Sequence, residues 1–88
     1  MITCELFVGA DNATGVVDTE LLGKILDSSH DGWTMVNATG SWRGQREPSV
    51  IVTIHDHETT IRATAVQIRD ELNQDAVGFR IVPTLSFI

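Results

Sequence analysis

The sequence predicts an α+β ferredoxin-like fold in the order β-α-β-β-α-β, a four-stranded antiparallel sheet with both helices on one face. Three observations predict it. Runs of strand formers and runs of helical periodicity alternate in that order along 88 residues. The third strand run, "SVIVTI", is apolar almost throughout, as a central strand covered on both faces would be. Gly40 and Pro83 fall in the second and fourth strand runs, which this topology places at the sheet edges, where such residues are tolerated.

Each element has its own signal. Ile2 to Val8, "ITCELFV", is rich in strand formers, with Ile2, Cys4, Leu6 and Val8 on one face and Phe7 on the other. "GADNATG" is a cluster of turn residues. Asp18 and Thr19 are N-cap candidates for a helix over "TELLGKILDSS", whose stripe is Leu21, Leu22, Ile25 and Leu26. "WTMVNATGSW" reads as the second strand, with Gly40 as a bulge. "REP" is expected to break the ladder, because Pro48 has no N–H to donate. "SVIVTI" follows, and "HDHETT" opens a second helix, capped by Asp56 or Thr59. Its stripe is Ile61, Ala65, Ile68 and Leu72, and "NQD" closes it. "AVGFRIV" is the fourth strand, and "TLSFI" after Pro83 forms an apolar tail. One domain spans residues 1–88.

Composition narrows function. The chain is 42% hydrophobic and 20% charged, which is globular, and carries a net charge of −6. That balance disfavours direct nucleic-acid binding and binding to anionic membranes. A single cysteine, Cys4, excludes an internal disulfide and points to a reducing compartment. No apolar run spans a bilayer, and "MITCELFVG" lacks the marks of a signal peptide, so the expected location is cytoplasmic. Phe7, Ile51, Val36 and Trp42 are candidates for the face without helices, and an apolar open face predicts a homo-oligomer.

The segment "GSWRGQREPS" is the candidate ligand site: Gly40, Ser41, Trp42, Arg43, Gly44, Gln45, Arg46 and Ser49. Two of the six basic residues lie here, three apart, in an acidic chain. Guanidinium forks match phosphate or carboxylate, glycines let backbone N–H groups approach a ligand, and an indole face stacks on a base. These are the parts of a site for a small anionic, nucleotide-like ligand. The alternative is a long hairpin whose arginines pair with Glu47 or with an acidic surface.

Elsewhere the signals are thinner. His55 and His57 with Asp56 or Glu58 could hold a metal, but no further ligand motif completes a set, and a polar strand-to-helix turn accounts for them. His30 with Asp31 reads as a polar loop, Cys4 as a small core residue, and Arg62 and Arg69 as a solvated helix face with Asp70 and Glu71. No nucleophile–base pair or metal set assembles, so the expectation is a non-enzymatic protein without a cofactor.

"ELFVG", "TGSWRGQREPSVIVTI" and "IRDELNQDAVGFRIVP" resemble a family of small ferredoxin-like proteins found in bacteriophage and bacterial genomes, with "GSWRGQREPS" as its signature segment. The resemblance implies the fold and a phage origin, and carries no catalytic residue. At fold level alone the topology is similar to signal-transduction proteins of the nitrogen-regulatory type, rings that bind nucleotides between subunits with the loop after the second strand. The leading expectation is therefore an oligomeric binding protein that, in a phage, sequesters a host immune signalling molecule. The alternative is an acidic inhibitor of a host defence or nucleic-acid enzyme, which needs Asp18, Glu20, Asp27, Asp70, Glu71 and Asp75 on one surface.

Overall fold

In the computed structural model, β1 (Ile2–Val8), α1 (Thr19–Ser29), β2 (Trp33–Trp42), β3 (Gln45–Asp56), α2 (Glu58–Glu71) and β4 (Gly78–Val82) follow in order. Residues 1–83, 86 and 88 are described. The strands form one antiparallel sheet in the order β2-β3-β1-β4, which is the ferredoxin-like arrangement with the apolar β3 in the interior. The expected apolar tail falls on residues 84–88, of which 84, 85 and 87 lie outside the described residues.

Strand alternation builds the core. Cys4, Leu6 and Val8 of β1 and Val50, Val52 and Ile54 of β3 point to one side, where Leu22, Ile25 and Leu26 of α1 and Ile61, Ile68 and Leu72 of α2 meet them. Each such side chain contributes about 1.5–3 kcal/mol by leaving water. Burial also pushes the Cys4 thiol pKa up, and the Glu58 carboxylate adds to it. Asp18 caps α1, its Oδ1 accepting from Leu21 N–H at 3.0 Å.

The other face of the sheet carries one apolar row. Val36, Ile51, Phe7 and Gly78 stand opposite one another across β2, β3, β1 and β4. Val36 is 51% exposed and Phe7 37%. A Cβ on Gly78 would lie 3.0 Å from Cβ of Phe7, so the glycine makes room for the ring. The next row is polar: Thr34, Thr53, Glu5 and Arg80, the last two joined as an ion pair, with Arg80 also 5.2 Å from the Phe7 ring centre.

Four local expectations are corrected. Pro48 does not break the ladder: it lies inside β3, opposite Thr39. The β1–β3 pairing stops at Val8 and Val50, so at Pro48 the strand has a neighbour on one side only, where a missing N–H does no harm. Gly40 is no bulge, since the register runs unbroken from Trp33–Ile54 to Trp42–Gln45. The N-cap of α2 is His57, without a side-chain cap bond; Asp56 instead accepts the His57 N–H at 2.7 Å. β4 begins at Gly78, two residues later than the apolar run indicates.

Candidate functional site

Beyond the last β1 pair, β2 and β3 continue as a two-stranded arm closed by Arg43 and Gly44. Both turn residues have positive φ, 51° for Arg43 and 79° for Gly44, the combination a two-residue hairpin needs to match the strand twist. Gly44 adopts it freely. Arg43, with a Cβ, costs about 1 kcal/mol there. The expected role of Gly44 in admitting a ligand is therefore second to its role in turning the chain.

Among the arginines, charge pairing separates this arm from the rest of the surface. Arg62 pairs with Glu58 at 2.9 Å, Arg69 with Asp70 at 2.9 Å, and Arg80 with Glu5. Arg43 and Arg46 form no ion pair among the described residues, so the alternative in which Glu47 neutralises them does not hold. Arg43 lies 5.5 Å from the ring centre of Trp42, which is 69% exposed. An indole already accepting a guanidinium is oriented to accept another flat or cationic group.

The arm borders a cleft of about 340 Å³ whose other wall is the β1–α1 loop. Trp42, Gln45 and Arg46 line it from the arm, with Glu47 and Pro48 below; Asp11, Asn12 and Gly15 line it from the loop. The loop is built around Asp11, whose Oδ1 accepts from the N–H groups of Ala13 (2.7 Å) and Thr14 (3.1 Å) and from Asn73 Nδ2 (3.2 Å). The Ala13 bond foremost, then the Asn73 bond, hold the Asp11 carboxyl below its usual pKa, so it is ionised at neutral pH. Asn12 bonds Asp75 at 3.2 Å and ties the loop to the end of α2.

Of the residues singled out in the sequence, the structure brings Trp42, Gln45 and Arg46 into the cleft and leaves Arg43 and Gly44 at the tip. Ser41 stands opposite Arg46, Gly40 opposite Glu47 and Ser49 opposite Ala38, along the arm and not among the lining residues. Asp11, Asn12 and Gly15 were missed. Their only signal was the turn cluster "GADNATG", which shows a turn without showing what it faces. The cleft is thus of mixed charge, with Arg46 beside Glu47 on the arm and the Asp11 carboxylate on the opposite wall.

His30 corrects another expectation. It lies in the α1–β2 connection, as expected, but it is buried and its partners are not Asp31: Nδ1 is 2.7 Å from Asp56 Oδ2 and Nε2 2.8 Å from Thr64 Oγ1. The Asp56 carboxyl lies below its usual pKa, held there chiefly by the His57 N–H and next by His30, so it is ionised and Nδ1 carries the shared proton. A Thr–His–Asp relay would need the Thr64 hydroxyl to donate its proton to Nε2. Thr64 Oγ1 is instead buried and donates to the Thr60 carbonyl at 3.1 Å, so it faces no reactant. His55 bonds Thr3 at 2.9 Å. Among the described residues no three His, Cys, Asp or Glu side chains converge on a metal position.

The carboxylates needed for an acidic mimic are partly engaged. Asp27 accepts from Trp33 Nε1 at 2.9 Å, Asp70 pairs with Arg69, and Asp75 accepts from Asn12. Asp18 borders one cleft with Glu71 and another with Glu20, and the set does not gather on one surface cleft among the described residues. Among the described residues no helix is long and apolar enough to cross a membrane.

No family model matches the chain, and no curated protein matches it. Solved structures do. A phage SAM lyase in its apo state is similar with a TM-score of 0.72 at 20% identity, over 92% of this chain and 78% of that one. A DUF3240 family protein from Shewanella baltica is similar with a TM-score of 0.66 at 13% identity, over 99% and 94%. CutA1 from Oryza sativa is similar with a TM-score of 0.62 at 14% identity, over 100% and 84%. At these identities the likeness is one of fold. It corrects the expectation of a non-enzymatic protein: the first neighbour is a lyase, so a frame of this topology carries a reaction, and the absence of a sequence triad excludes nothing.

Proposed function

We propose that the chain binds a small nucleoside-type ligand of the SAM class in the hairpin cleft, and does so as a homo-oligomer encoded by a phage. One observation carries the reading: of two arginines free of ion pairs, Arg46 lines the cleft with the exposed Trp42 indole, and Arg43 lies over that indole at the hairpin tip, with an ionised aspartate on the cleft's other wall. S-adenosylmethionine offers a base, a carboxylate, an ammonium and a sulfonium. The base stacks on Trp42, displacing or sandwiching against Arg43. The Arg46 fork takes the carboxylate. Asp11 and Glu47 face the cationic centres. The anionic ligand expected from the arginines alone thus becomes one that carries both signs. The phage neighbour supports the ligand class, since SAM is in its name, and supports the setting. The Val36–Ile51–Phe7 row supports assembly, because a second copy laid on the open face removes it from water.

The test begins with protein purified without refolding. Native mass spectrometry gives the number of chains and any carried ligand, and calorimetric titration with SAM gives affinity for the wild type, Trp42→Ala and Arg43→Ala with Arg46→Ala. The expected result is an oligomer that binds SAM, with each variant weakened by roughly tenfold or more. Mass analysis of the SAM recovered afterwards shows whether it was cleaved. Binding that survives the double arginine variant, or a wild type that takes up no SAM, overturns the assignment.

A further inference from the structure

We propose that the groove between α2 and the outer edge of β4 is a second site, which docks an extended acidic peptide segment as an added strand. It is independent of the hairpin cleft. The groove has a volume of about 390 Å³. One side is a helical stripe, Arg62, Ala65, Val66 and Arg69, at spacings of three, one and three; the other is Asp75, whose carboxylate is engaged by Asn12, then Ala76, Val77 and Phe79, leading into and along β4.

Three features define the occupant. First, the floor is apolar: Ala65, Val77 and Phe79 pack on the core, and Val66 on the rim is 47% exposed. Second, each end carries a preset guanidinium. Arg62 lies 4.3 Å from the Phe79 ring centre and gives only Nε to Glu58; Arg69 gives only Nε to Asp70. The terminal nitrogens of both forks have no hydrogen-bond partner among the described residues and suit a carboxylate. Third, β4 ends the sheet, and among the described residues no strand pairs with its outer edge, so its N–H and C=O groups are available to a new backbone.

These features set a pattern. Alternate residues of an added strand face α2, with a first-to-fifth separation of about 13 Å. The two arginines sit roughly 10 Å apart along the helix, within side-chain reach of that spacing. A carboxylate at the first and fifth positions meets Arg62 and Arg69, and an apolar third residue covers Ala65 and Phe79. A small dianion would use the charges and leave the strand edge and the apolar floor unmatched. The groove lies on the helix side of the sheet, opposite the row assigned to self-assembly.

The experiment is an NMR titration of the isotope-labelled full chain with a synthetic peptide whose centre reads Glu-Thr-Val-Thr-Glu. The expected result is saturable shifts at the Gly78–Val82 amides and at the Arg62 and Arg69 Nε–H signals. A peptide with glutamines in place of the glutamates binds roughly tenfold more weakly, as does Arg62→Gln with Arg69→Gln at unchanged Tm. Equal binding of both peptides, shifts that map away from β4, or no binding overturns the proposal. Complete displacement by succinate reassigns the groove to small dianions and also overturns it. So does an oligomer that the double variant dissociates, which gives the groove to a second copy.

Discussion

The two ends of β3 each hold a polar cluster and treat it in opposite ways. At the Asp56 end, His30, Asp56 and Thr64 are drawn from a helix end, a strand and a second helix, and each polar atom meets another within 2.7–3.1 Å. At the Gln45 end, roughly 36 Å along the strand, Trp42, Arg43 and Arg46 stand on an arm with no third strand and no ion pair among the described residues. Polar groups satisfied inside a protein hold its shape, because freeing one of them leaves its partner desolvated and unbonded. Polar groups left unsatisfied outside it hold nothing in the fold and remain available to a ligand. The comparison therefore assigns stability to one end and recognition to the other.

Four substitutions test that division. His30→Ala strikes hardest: it takes one hydrogen-bond partner each from Thr64 and the Asp56 carboxylate and leaves a cavity, and about 3 kcal/mol of unfolding free energy should be lost in chemical denaturation, with SAM binding unchanged. A loss below about 1 kcal/mol would mean the buried cluster is no lock. Asp56→Asn should remove about 2 kcal/mol and also alter the acid limb of stability. The Asp56 pKa is lowered in the fold, so its contribution is present above the unfolded value of about 3.9 and is lost as pH falls through the folded value. Wild-type Tm should accordingly drop below about pH 4, and the drop should be shallower in Asp56→Asn. An equally steep drop would place the acid sensitivity elsewhere. Gly44→Ala should cost about 1 kcal/mol, because the turn holds φ at 79°. Arg43→Ala with Arg46→Ala should shift stability by no more than about 0.5 kcal/mol while weakening ligand binding by roughly tenfold or more. A large stability loss there would erase the contrast between the two ends.

The elements of the fold were legible because local signals and tertiary placement agree. The Asp18 cap, the α1 stripe and the apolar β3 each name their element without reference to anything distant. Pro48 was misread because its tolerance depends on where a different strand, β1, stops. His30 was misread for a related reason: its partner lies 26 residues away in Asp56, whereas the neighbouring Asp31 offered a false one. The arm of the candidate site was visible as a concentration of arginine, glycine and tryptophan. Its opposite wall was not, since Asp11 and Asn12 face Trp42 and Arg46 only after β1 and the hairpin have been brought side by side. The pairing of Arg62 with the Phe79 ring, and hence the second groove, was equally invisible along a helix that reads as a solvated charge pattern.

The two tryptophans inherit the same division. Trp33 packs on the core with its indole N–H held by Asp27, whereas Trp42 stands in water beside the Arg43 guanidinium. The chain has no tyrosine, so its near-ultraviolet emission is the sum of these two indoles alone. Iodide, drawn to Arg43 and Arg46, should quench the redder Trp42 component and spare the bluer Trp33 one, whereas a cationic quencher should discriminate less. The protein is in effect its own two-colour gauge, with one lamp reporting that the fold is intact and the other that the arm is occupied.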